Sequence, residues 1–201
     1  MLGRPVVEKL TEEGFEVTVG TRSPERARAV FGGGVGCVQV ALDDPDTIAS
    51  AMEGQEAVHL NLPSGPRFED CFRNEYHGAK AVAAAAKDAG VKRISYLSGA
   101  NVSAEVSFPP SRAKWLAEES LRGSGVPFTI WRATWFMETL TQLFRFGVAV
   151  QPGDGRSKVH WLAGRDLGIF VANAMRTDRA AEKVLFAFGP EARSLREALR
   201  T

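Results

Sequence analysis

The sequence has little of what builds metal centres or disulfide frameworks. Cys37 and Cys71 are its only cysteines among 201 residues. That excludes a stapled scaffold and reads as two thiols in a reducing compartment. The three histidines, His59, His77 and His160, lack ligand spacing, so no metal site is expected. No apolar run approaches the roughly 20 residues of a membrane span. Residues 1–10 lack the apolar core of a signal peptide, and a cytoplasmic protein is expected. Charge of one sign is also missing. The net charge is +1 and the Lys and Arg residues are scattered, which argues against nucleic acid or a membrane surface as partner.

What is present is alternation. Helical patterns over residues 2–10, 24–31, 44–53, 74–89, 111–122, 136–146 and 165–175 are separated by short apolar strands. The strands are expected at 15–20, 37–42, 56–62, 91–98, 127–132 and 184–188. Ser23 is placed as the N-cap before Pro24, and a Pro-Gly-Asp-Gly loop is placed at 152–155. Strands alternating with helices predict an α/β fold, a Rossmann-like doubly wound parallel sheet covered on both faces. No repeat or interdomain linker interrupts it, so a single domain over 1–201 is expected.

The opening carries the chemistry. A glycine, Gly3, stands at the mouth of the first helix, and the following strand ends Gly20-Thr21-Arg22. This is the second half of a dinucleotide-binding unit, in which a pyrophosphate sits on helix N-terminal N–H groups. The other reading of Gly3 is an ordinary loop glycine. Such a unit also needs a buried strand and a glycine-rich turn ahead of the helix. The first strand is therefore expected to be missing, with the natural chain beginning upstream. The strand end at Arg22 has no carboxylate to grip a ribose 2′-hydroxyl. An arginine there suits a 2′-phosphate, which favours NADP(H) over NAD(H). The alternative is a solvated arginine before a helix.

Several stretches, in order, resemble one family. They are Met1-Leu2-Gly3-Arg4-Pro5-Val6-Val7, Val17-Thr18-Val19-Gly20-Thr21-Arg22, Leu42-Asp43-Asp44-Pro45, and Val126-Pro127-Phe128-Thr129-Ile130-Trp131-Arg132 followed by Trp135-Phe136-Met137-Glu138. The chain resembles an atypical short-chain dehydrogenase/reductase of the NmrA-like, NAD(P)H-binding group, short at both ends relative to it. The resemblance implies cofactor contacts for Leu2 and Gly3 at the glycine-rich turn. It implies that Thr21 and Arg22 lie at the 2′-phosphate, and that Leu42 and Asp43 flank the adenine. Asn61, Leu62 and Pro63 would run under the cofactor. The family often has an acid where this chain has Ala41.

The wider superfamily uses serine, tyrosine and lysine, the last two as Tyr-x-x-x-Lys. Here Ser98 stands at the serine-like strand end and Lys114 on the next helix, but Pro110 occupies the tyrosine place. The only tyrosines are Tyr76 and Tyr96. Ser98 and Lys114 are the catalytic candidates, and Lys114 is also a candidate for contacting the cofactor. Lys114 would hold the nicotinamide ribose or act as an acid; the alternative is a surface lysine in register with Glu118. Ser98 is open to a plain strand-end reading. The expected function is NAD(P)H binding, with NADPH-dependent reduction of a small carbonyl or quinone compound. The alternative is a non-catalytic NADP(H) sensor acting through a regulatory partner, and a third reading is a truncated product without a working site.

Overall fold

The computed structural model describes residues 2–65, 67–145, 148–149 and 154–199. Met1, Phe146, Pro152 and Gly153, which enter the sequence expectations above, lie outside them. The chain runs α1 (Gly3–Glu12), β1 (Thr18–Thr21), α2 (Pro24–Phe31), β2 (Gly36–Gln39), α3 (Pro45–Met52) and β3 (Ala57–Leu60). Next come α4 (Phe68–Cys71), a π-helical segment (Phe72–His77), α5 (Gly78–Asp88), β4 (Arg93–Gly99), α6 (Pro109–Arg122) and β5 (Phe128–Ala133). After a 3₁₀ turn (Met137–Leu143) follow β6 (Phe144–Arg145), β7 (Val148–Ala149), β8 (Lys158–His160), α7 (Gly164–Met175), β9 (Lys183–Ala187), β10 (Ala192–Ser194) and α8 (Leu195–Ala198).

The parallel strands form two sheets, β1-β2 and β3-β4-β5-β9, with no ladder between them. Alternate side chains along each strand enter opposite layers. Ile94 and Tyr96 of β4, with Phe128 and Ile130 of β5, pack under α3, α5 and α6. Leu97, Trp131 and Ala133 face the other way, against Val6 of α1 and Leu167 and Val171 of α7. Both faces are therefore covered, and the near-continuous apolar strands are explained.

Local chemistry sets the helix ends. The Asp44 carboxylate accepts from the N–H groups of Asp46 and Thr47 and starts α3, with Pro45 at its first turn. Gly90, at φ +72°, follows α5 in a conformation that a side chain resists. Ser23 precedes α2 as expected, but its hydroxyl makes no cap bond, and Pro24 alone sets that start. Glycines also bring α1 down onto α7. A Cβ at Gly168 would come within 2.7 Å of Lys9 Cβ, and one at Gly164 within 2.7 Å of Pro5 Cγ.

Some expectations are corrected. The helix placed at 136–146 is a 3₁₀ turn leading into β6. The Met137 N–H donates to the Leu162 carbonyl and the Leu162 N–H to the Trp135 carbonyl, so a distant residue pairs at the start of the stretch, and Met137–Leu143 coils as 3₁₀. The helix placed at 74–89 starts earlier, at Phe68, and contains the π segment. The antiparallel pair of β8 and β10 was not foreseen.

Candidate functional site

The residues proposed for the cofactor gather at the carboxyl ends of β1, β2 and β3, where open parallel sheets hold ligands. α1 begins there. Leu2 stands at its N-cap without a side-chain cap bond, and its first turn holds no acid. The N–H groups of that turn are therefore suited to an anion. A Cβ on Gly3 would meet only Asn61 Nδ2, at an ordinary 3.9 Å, so the protein's own packing does not demand glycine there. Arg22 is exposed and forms no ion pair among the described residues. Thr21 is half-buried, and its hydroxyl accepts from the Ser23 N–H at 3.3 Å. Asp43 and Pro63 are exposed, whereas Leu42 and Leu62 pack against the core beneath α3 and α5. Leu42 comes so close to α5 that a Cβ on Gly78 would lie 3.0 Å from it.

The two catalytic candidates stand near the same strand end in different surroundings. Lys114 Nζ lies 2.7 Å from Glu75 Oε1, donates to the Leu97 carbonyl at 3.1 Å, and sits 5.3 Å from the centre of the Tyr96 ring. Its side chain keeps 20% exposure. Glu75 is fully buried; it accepts from the Tyr96 hydroxyl at 2.8 Å and from Ser64 Oγ at 3.1 Å. Ser64 follows Pro63, so Glu75 joins the loop after β3 to Lys114. Burial, with the Glu75 charge adding to it, pushes the Tyr96 phenol well above its ordinary range.

Ser98 is buried and donates to Glu118 Oε1 at 2.6 Å. Glu118 is fully buried, with Arg132 and Arg122 nitrogens at 2.7 and 3.0 Å from Oε2. The ion pair considered between Lys114 and Glu118 does not form; Lys114 turns to Glu75. Sequence reasoning missed Glu75. The alternation of β4, which sends Tyr96 inward, was a signal that a buried acceptor was needed. The π segment carrying Glu75 was another, since such bulges concentrate at functional sites, but it is not visible in the residue pattern.

His59 of β3 adds a polar group on the α1 side. Its Nδ1 is 2.8 Å from Ser95 Oγ, which also accepts from Trp131 Nε1 at 3.1 Å, while its Nε2 is buried without a partner. Burial lowers its pKa to about 4 from 6.5. Since the folded value is the lower one, the unfolded chain binds more protons between them, and stability falls as pH drops from about 6.5 to about 4. The expected loss is about 3 kcal/mol. Denaturant titrations at several pH values should show it in the wild type and not in His59→Gln. Equal pH slopes for the two proteins would reject it.

Residues 1–183 match the NAD(P)H-binding family. The chain belongs to that family. It is 32% identical over 202 aligned residues to the (4-alkanoyl-5-oxo-2,5-dihydrofuran-3-yl)methyl phosphate reductase of Streptomyces griseus, covering 98% of this chain and 67% of the relative. It is 26% identical to the NAD(P)H azoreductase of Xenophilus azovorans, covering 96% of this chain and 66% of the relative. The NADPH-dependent quinone oxidoreductase of Escherichia coli, solved with NADPH, superposes with a TM-score of 0.78 at 24% identity, over 97% of this chain and 68% of that one. Other curated relatives are longer still, and the chain spans 46% and 44% of them. The triphenylmethane reductase of Citrobacter sp., solved with NADP(H), shares the fold, with a TM-score of 0.76 at 20% identity over 96% of this chain and 68% of that one. No helix among the described residues is long and apolar enough to cross a membrane.

Proposed function

We propose that this chain binds NADP(H) in preference to NAD(H), and that it serves NADPH-dependent reduction of a small carbonyl or quinone compound. The observation that carries the reading is the fixed cation beside the cofactor edge. Lys114 is held by Glu75 at 2.7 Å and by the Leu97 carbonyl at 3.1 Å, at the end of the strand next to β3. The residues present fit a dinucleotide: an uncapped helix start, a glycine without steric need, and an unpaired arginine where a 2′-phosphate would lie. A bound nicotinamide supplies the hydride. Lys114 offers a positive charge and a proton to an acceptor oxygen as it becomes negative, in place of the tyrosine that Pro110 displaces.

A cavity of about 450 Å³ lies beside Trp135, just past β5, with Thr139, Gln142, Asp154, Val159, Trp161 and Leu195 in its walls, and it is the space we assign to the acceptor. The azoreductase and the quinone oxidoreductase are reductases of azo and quinone compounds, which supports an acceptor of that class.

Cofactor preference is tested by titration. NADPH should bind more tightly than NADH, and Arg22→Ala should remove most of the difference. A charge-assisted phosphate contact is worth roughly 1.5–3 kcal/mol, about tenfold or more in affinity. Equal dissociation constants for the two cofactors in the wild-type protein would sink the proposal.

A further inference from the structure

Two tryptophans stand in the wall of the cavity beside Trp135. Trp161 is 7% exposed, and its indole N–H donates to the Arg193 carbonyl at 3.0 Å, so its ring is fixed. Trp135 is 63% exposed, its ring centre 6.5 Å from that of Trp161 and tilted by 54°. Its backbone is held too, because its carbonyl accepts from the Leu162 N–H at 2.8 Å. An exposed indole on a fixed backbone presents a flat face to whatever enters the cavity.

The same wall carries charge of one sign. Among the described residues that line it, Asp154 is the only ionisable side chain. Its carboxylate accepts from the Arg156 N–H at 3.1 Å, and the Gly155 carbonyl accepts from the Arg196 N–H of α8 at 3.4 Å. These bonds tie the segment that carries the acid to α8, which supplies Leu195 to the wall. The basic neighbours stand outside it. Arg156, Lys158 and Arg196 are exposed and do not line the cavity, and Arg193 pairs with Glu191 at 2.7 Å. Alternation along β8 turns Lys158 away from the face that Val159 lines.

A carboxylate beside two indoles, with no base in the described wall, favours one sign of charge in the ligand. It repels an anion, and the repulsion grows where apolar walls displace water. It attracts a cation, and the same cation gains from the electron-rich face of an indole.

We propose that this cavity takes flat aromatic acceptors that carry a positive charge, with Trp135 as the stacking face and Asp154 as the residue that selects the sign. The inference rests on the reading of this cavity as the acceptor's place, and adds the charge of the compound that enters it. The charge sits on a substituent, away from the carbonyl that is reduced, so the hydride and proton transfers are those already described.

The probes are three naphthoquinones that differ in one substituent: methyl, sulfonate or trimethylammonium. Binding is read from quenching of tryptophan fluorescence, and turnover from NADPH oxidation. The cationic quinone should bind about tenfold or more tightly than the sulfonate, and Asp154→Asn should bring the two within about twofold. Added salt should narrow the wild-type ratio. The ratio of kcat/KM for the two should fall in Asp154→Asn through KM, and comparing each compound with itself cancels its own reactivity. Trp135→Ala should weaken all three by about tenfold, the cationic one most, and Trp135→Phe should recover part of the loss. The same cation-to-sulfonate binding ratio in wild type and Asp154→Asn would overturn the proposal, as would no quenching by any of the three. The expected charge order in binding, without NADPH oxidation, would support the charge selection and count against the reductase reading instead.

Discussion

Lys114→Ala is expected to lower kcat for NADPH-dependent reduction of a quinone such as menadione by about 10²-fold or more, the usual contribution of a positioned proton donor. The expectation rests on how firmly the ammonium is held. It has an anion at 2.7 Å and a carbonyl at 3.1 Å, and it lies over an aromatic ring. Those contacts fix one direction for a side chain that is otherwise flexible. Glu75→Gln keeps the size of that anchor but removes its charge, so its effect should also fall on kcat and be smaller than that of Lys114→Ala. Tyr96→Phe removes one hydrogen bond to Glu75 and leaves Lys114 in place, and should cost least of the three. Stopped-flow or steady-state NADPH oxidation decides the order. A larger loss for Tyr96→Phe than for Lys114→Ala would make the tyrosine the proton donor and reject the assignment.

Glu118→Ala should be among the most destabilising single changes in the chain. It leaves Arg132, whose side chain is only 16% exposed, facing a cavity without its anion, and it strands the buried Ser98 hydroxyl. Breaking a buried ion pair by removing one partner costs about 3–5 kcal/mol. For a domain of this size that is a fall in Tm of about 6–20 °C. Glu118→Gln retains an acceptor for Ser98 and should lose less. Ser98→Ala alone should cost only about 1 kcal/mol, one hydrogen bond. Urea midpoints for the three variants separate the contributions. A loss below about 1 kcal/mol for Glu118→Ala would show that the arginines find water instead. The same network bears on Ser98 as a catalytic candidate. Its hydroxyl proton is directed at Glu118, so a Ser98→Ala variant that lost activity without losing stability would restore the serine to a chemical role.

Much of this protein was legible before its fold. Alternating apolar runs and helix punctuation gave the parallel α/β class, because a strand buried on both faces must be apolar throughout and a crossover must be helical. Gly3, Thr21 and Arg22 were proposed from position and Asn61 from the family resemblance, and in such a sheet the carboxyl ends of neighbouring strands share one edge.

Only the tertiary structure decided what those side chains do. Glu75 and Lys114 are 39 residues apart and meet because the π segment and α6 pack side by side at the end of β4. No periodicity within either segment encodes that contact. Lys114 and Glu118 have ideal helical spacing, yet the structure separates them. Glu118 answers Arg132 and the Ser98 hydroxyl, which neighbouring strands bring in, and Arg122 one turn along its own helix, while Lys114 answers a carboxylate from the π segment. In the stretch placed as a helix at 136–146, Met137–Leu143 coils as 3₁₀ and its start pairs with the distant Leu162 through Trp135 and Met137. Sequence fixes local period and punctuation. The choice among competing partners for a buried charge or a free N–H depends on which distant groups the packing holds within about 3 Å, and that is a property of the packed chain.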